Sequence, residues 1–141
     1  MTATAREIVV EEVLPFSVGA VWTALTSSQL IERWLMPNDF VPEVGRTFQF
    51  RRAPLGDWDG IVRCEVLECE PRQKLAYSWK GGNLDTVVTW LLRQADNGTL
   101  LRMVHSGFEL PRDAMAFGAM SPGWGKIVIS IGRVLEAQPG R

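Results

Sequence analysis

The stretch SPGWGKIVISIGRVLEAQ, residues 121–138, decides the fold, and it reads two ways. KIVISI is strand-like by residue type, because Ile and Val are stiff β-branched side chains. Trp124, Ile127, Val128, Ile131 and Leu135 nevertheless fall at i, i+3, i+4, i+7 and i+11, one stripe of a helix. A strand would split the isoleucines from Val128 and leave Trp124 and Leu135 unexplained. Ser121 followed by Pro122 is the pattern of an N-cap with proline at the first helical position, where its missing N–H costs nothing. Pro139-Gly140 stops the run. The spacing therefore predicts a terminal helix over 122–137. Gly125 and Gly132 each cost about 1 kcal/mol against alanine, so this helix depends on what it packs against.

Upstream of it the chain reads as strands. Residues 7–14 are strand-like, and Ser17 and Ser27 open two short helices carrying Val18, Val21, Trp22, Leu25 and then Leu30, Ile31, Trp34, Leu35. Five further strand patterns follow, joined by Gly, Asn and Pro turns: RTFQFRR, IVRCEVLECE, LAYSW, LDTVVTWLLRQ and TLLRMVHSGFEL. Paired residues of an antiparallel hairpin share a face and keep a constant sum. Closing DNG with Gln94 opposite Thr99 pairs Trp90 with Met103 and Val88 with His105. Closing KGGN with Trp79 opposite Leu84 pairs Tyr77 with Thr86 and Leu75 with Val88. Closing PRQK with Cys69 opposite Lys74 pairs Val66 with Tyr77 and Cys64 with Trp79. Set independently, the three hairpins place Val62, Cys64, Val66, Leu75, Tyr77, Trp79, Val88, Trp90, Leu92, Leu101 and Met103 on one face. Phe48 and Phe50 join it from the preceding strand, and Arg63, Glu65, Lys80, Arg93 and Arg102 take the other.

Composition narrows the function. The 141 residues predict one domain, 1–141, with 46% apolar and 22% charged residues, as in an ordinary soluble globular protein. A net charge of -1 argues against a nucleic-acid surface. No apolar run approaches the ~20 residues that span a bilayer, so no membrane association is expected. The N-terminus lacks a signal-peptide pattern, and a cytoplasmic location is expected. One His and two Cys argue against a metal site, and Cys64 and Cys69, on opposed strand faces, should not bridge. No cofactor is expected.

Three words in order resemble a known family: VWTALTSSQLIERWLMP, GTLLRMVHSGF and the Gly123-Trp124 pair opening the last helix. They are similar to the activator of Hsp90 ATPase homologue 1-like family of the Bet v 1-like (START-like) superfamily. The resemblance implies an α+β helix-grip fold: a curved antiparallel sheet of about six strands, two short helices, and a long C-terminal helix over an apolar cavity. It also implies binding of a small hydrophobic ligand there. The co-chaperone that names the family has a further N-terminal domain, which is not expected within these residues, so Hsp90 activity is not expected to carry over.

Combining register and resemblance, the expected ligand-binding residues are Phe50, Tyr77, Trp79, Val88, Trp90, Met103, His105, Trp124, Ile127, Val128 and Ile131. Trp79 and Trp124 are expected at the mouth, Trp90 in the core, Trp22 and Trp34 fastening the short helices, and Trp58 exposed. His105, the single imidazole, is expected inward; it is read as structural, bonded to backbone or water, or else as a polar handle for ligand or a catalytic base. No carboxylate accompanies it inward except, at a strand end, Glu68; Asp85 is expected outward. A cyclase- or dehydratase-like enzyme and a protein-binding module remain the alternatives to ligand binding. A homodimer is a further option.

Overall fold

The computed structural model describes residues 4–138. The chain runs β1 (Thr4–Leu14), α1 (Val18–Thr26), α2 (Ser28–Trp34), β2 (Thr47–Arg51), β3 (Ile61–Glu70), β4 (Lys74–Trp79), β5 (Thr86–Ala95), β6 (Gly98–Leu110) and α3 (Ala114–Glu136). The six strands form one antiparallel sheet in the order β1-β6-β5-β4-β3-β2. Together with the long α3 this is the expected α+β helix-grip architecture. No described helix is long and apolar enough to cross a membrane.

Local chemistry sets the element boundaries. Ser17 Oγ accepts from the Ala20 amide at 3.1 Å and Ser27 Oγ from the Leu30 amide at 3.4 Å, the expected caps of α1 and α2. Gly98 opens β6 at φ +150°, and a Cβ there would lie 2.0 Å from the Leu14 carbonyl oxygen. Only glycine lets β6 start this close to the end of β1.

The β5–β6 register is the one predicted, with Trp90 opposite Met103 and Val88 opposite His105. The β4–β5 register differs by two residues: Tyr77 faces Val88, Leu75 faces Trp90 and Trp79 faces Thr86. The tight KGGN turn fails because Lys80 stays paired with Arg63 of β3 through two backbone bonds of 2.8 and 3.0 Å. The chain then needs residues 80–85 to come round. A slip of two preserves side-chain parity, so the predicted apolar face survives it. At the β3–β4 turn Cys69 lies opposite Leu75, not Lys74, but a bulge between Val66 and Glu68 restores Val66 opposite Tyr77. Every residue assigned to the apolar face is at most 8% exposed. Glu68 is exposed and pairs with Lys74 at 2.9 Å, so it does not face inward.

The terminal helix is longer than its sequence suggests. It begins at Ala114, with Asp113 before it, and runs through Pro122. Ser121 is therefore no N-cap: its hydroxyl donates back to the Phe117 carbonyl at 2.8 Å. Proline in a helix interior removes a backbone bond and crowds the preceding turn. Tertiary packing outweighs that cost here. Phe117 stacks edge-on to buried Phe108 at 5.3 Å, and Met120 packs against the core. Pro139-Gly140 lies outside the described residues.

Candidate functional site

The middle of the molecule is filled with aromatic rings. Phe48, Phe50 and Tyr77 meet at 5.2 to 6.0 Å, Phe50 reaches Trp79 at 5.3 Å, and Trp79 reaches Trp124 of α3 at 5.6 Å. Trp90 touches Trp124 on one side and Trp34 of α2 on the other. Trp34 is anchored by its indole N–H on the Ala24 carbonyl at 2.9 Å. Trp90 donates to the Tyr77 hydroxyl at 2.9 Å. Buried indoles need such acceptors.

His105 belongs to this interior and is fully buried. Its Nδ1 accepts from the Trp124 indole N–H at 3.0 Å, and its Nε2 lies 2.7 Å from Thr86 Oγ1. An indole nitrogen can only donate, so Nδ1 is unprotonated and the proton sits on Nε2. The Thr86 hydroxyl in turn donates to the Trp79 carbonyl at 3.0 Å. The relay from α3 to β6 to β5 to β4 is complete, and no nitrogen is left to take a proton from a substrate. Burial lowers the pKa of the imidazole from 6.5 to about 3, so it is neutral near pH 7. The structural reading of His105 fits this geometry, although its partners are side chains rather than backbone or water.

An open cleft of about 620 Å³ lies above this core, between the N-terminal half of α3, the β2–β3 loop and the β4–β5 turn. Met115, Ala116, Ala119, Met120, Gly123, Trp124 and Ile127 form its helical wall. They recur at helical spacing, and the small residues among them leave the space. Trp58, Val62, Trp79 and Leu84 line the sheet side, and Leu35 and Met36 close the end near α2.

Of the residues expected to bind ligand, the structure brings Trp79, Trp124 and Ile127 to this cleft. Phe50, Tyr77, Val88, Trp90, Met103, His105, Val128 and Ile131 are buried beneath it at 2% exposure or less. Trp58, expected to be exposed, is half-buried: its indole donates to the Ile61 carbonyl at 3.0 Å and its ring lines the cleft.

The cleft's charged groups escaped the sequence reading. Asp113 is buried, accepts from Arg112 at 3.0 and 2.8 Å, and takes the Glu109 amide at 2.8 Å. The bond from Arg112, with that from the Glu109 amide, lowers its pKa. Its place before a helix extended by eight residues hid it. Arg52 also lines the cleft, and its guanidinium lies 5.8 Å from the Trp58 ring centroid. The cysteines are free thiols, with Cys64 buried and Cys69 half-buried. Burial raises both pKa values, which keeps the thiols protonated. Among the described residues, no three His, Cys, Asp or Glu side chains gather as metal ligands.

Comparison with known proteins places this geometry. The protein MLL2253 from Mesorhizobium loti is 38% identical, with a TM-score of 0.84 over 93% of this chain and 97% of that one. The protein BH1534 from Bacillus halodurans is 27% identical, with a TM-score of 0.78 over 96% and 99%. An Aha1 dimer from Colwellia psychrerythraea shares the fold at 22% identity, with a TM-score of 0.79 over 96% and 99%. No curated protein matches the sequence. The family model described as Activator of Hsp90 ATPase homolog 1-like protein matches residues 15–136. With that match spanning both short helices, strands β2 to β6 and α3, the chain belongs to the activator of Hsp90 ATPase homolog 1-like family.

Proposed function

We propose that this protein binds a small, largely apolar molecule in the cleft between α3 and the sheet. The observation carrying this reading is the cleft itself: about 620 Å³, walled by three tryptophans, methionines and aliphatic side chains. Ligand sites typically measure about 300–1,000 Å³ and are mostly apolar with a few polar groups. Trp79, Trp124 and Ile127 contact the ligand in this reading, and the buried Phe50, Tyr77, Val88, Trp90, Met103, His105, Val128 and Ile131 hold those walls in place. Both nitrogens of His105 are occupied and Asp113 is clamped by Arg112, which favours binding over acid–base chemistry.

Nile red, an uncharged apolar dye, tests this directly. It should show a saturable fluorescence rise with the parent protein. Ala119→Phe puts a ring into the cleft from an exposed helix position, so affinity should fall about tenfold or more, a loss of at least ~1.4 kcal/mol, with melting temperature little changed. A non-saturating signal, or equal binding by the variant, would overturn the reading.

A further inference from the structure

Three charged side chains line the cleft, and they are not equivalent. Arg112 and Asp113 neutralise each other through the two hydrogen bonds already described, and Arg112 spends its remaining edge on Glu109 at 2.9 Å, outside the lining. Arg52 makes no ion pair among the described residues; its guanidinium lies over the face of Trp58.

That guanidinium is positioned by the backbone as well. The Arg52 amide donates to the Gly60 carbonyl at 2.9 Å, tying off the base of the β2–β3 loop. Gly60 has φ +82°, and a Cβ there would lie 2.1 Å from the Arg52 carbonyl oxygen. Trp58 is fixed by its bond to Ile61. A guanidinium resting on an aromatic face keeps its N–H edges free, and those edges match a carboxylate with two parallel bonds. The same cleft has an apolar lining that includes Trp58, Leu55, Leu84 and Met36.

Resting on the cleft reading above, we propose that the ligand is a monoanionic amphiphile, an aryl or acyl carboxylate. Its carboxylate is held at the rim by Arg52 while its apolar body lies against Trp79, Trp124 and Ile127. The cation stacked on Trp58 beside an apolar wall is the feature that selects this class.

Naphthylacetate and naphthylacetamide, nearly identical in shape and differing in charge, are the probes, titrated by calorimetry at low ionic strength, where a partly exposed pair is least screened. The parent protein should prefer the acid by about tenfold, as a charge-assisted pair at a rim provides. Arg52→Gln should bring the ratio to about one, and Arg52→Glu should favour the amide. Arg51→Gln removes the same charge one residue away, on a side chain that bonds Gln49, and should leave the preference intact. Equal binding of acid and amide by the parent, or a preference surviving Arg52→Gln, would overturn this inference while Nile red binding still supports the cleft. Loss of Nile red binding as well would remove the cleft reading and this proposal together.

Discussion

A single histidine inside an aromatic core has one measurable consequence, which follows from the bonds at its two nitrogens. The unfolded chain takes a proton on His105 below about pH 6.5, while the folded protein resists until about pH 3. The stability held by the neutral imidazole is therefore complete above pH 6.5. It is lost as pH falls toward 3, at up to about 1.4 kcal/mol per unit. Asp113, whose pKa is lowered from 3.8, adds its own acid sensitivity only at the lower end of that range, as pH falls through about 3.8 and below. Urea unfolding between about pH 6.5 and 4.5 should thus show a steep decline in the parent and a shallower one, from a lower start, in His105→Gln. Equal slopes would remove the buried neutral imidazole from the account. At this scale the sequence was informative about direction and silent about partners. Hairpin parity aimed His105 inward, but Thr86 came opposite Trp79 only through the two-residue slip, and a contact with Trp124 requires knowing how α3 lies. Gly60 makes a second case, since its need for a positive φ and a bare Cα depends on a carbonyl eight residues earlier. Gly60→Ala should destabilise the β2–β3 loop by about 1–3 kcal/mol, read by thermal melting, and should shift Arg52.

Among the elements, α3 shows how packing overrides local signals. Ser-Pro-Gly-Trp reads as a helix start because each residue favours one there, and the structure instead threads the helix through it. The periodic stripe from Trp124 to Leu135 was legible because it is buried along one face. The preceding segment was not, because Met115, Ala116 and Ala119 face an open cleft and give no contrast between an apolar and a solvated side. Pro122 leaves the Gly118 carbonyl without its helical donor. If that turn is held by Phe117 and Met120, Pro122→Ala should restore the bond and raise stability by about 1–3 kcal/mol, less the entropy that proline removes from the unfolded chain. Chemical denaturation would measure it. A lower stability would mean that the proline ring itself packs usefully.

For the molecule as a whole, the apolar interior divides into a filled half and an open half. The sheet face and its aromatic residues could be read from alternation, since burial repeats every second residue. Which part of that interior stays empty could not, because it depends on side-chain volumes summed across elements distant in the chain. Val128, Ile131, Val134 and Leu135 seat the C-terminal half of α3 in the core, while the N-terminal half spans the cleft. The two halves should answer oppositely to added bulk. Ile131 is fully buried, so Ile131→Trp overpacks and should cost about 1–3 kcal/mol or more. In a domain of this size that corresponds to a drop of roughly 3–15 °C in melting temperature. Because the cleft lies on the other half of α3, the molecules that remain folded should still bind Nile red with near-parent affinity. A melting temperature that holds while dye binding disappears would place the ligand space deep beneath Ile131. The binding residues would then be the buried set on the sheet rather than the wall from Met115 to Ile127.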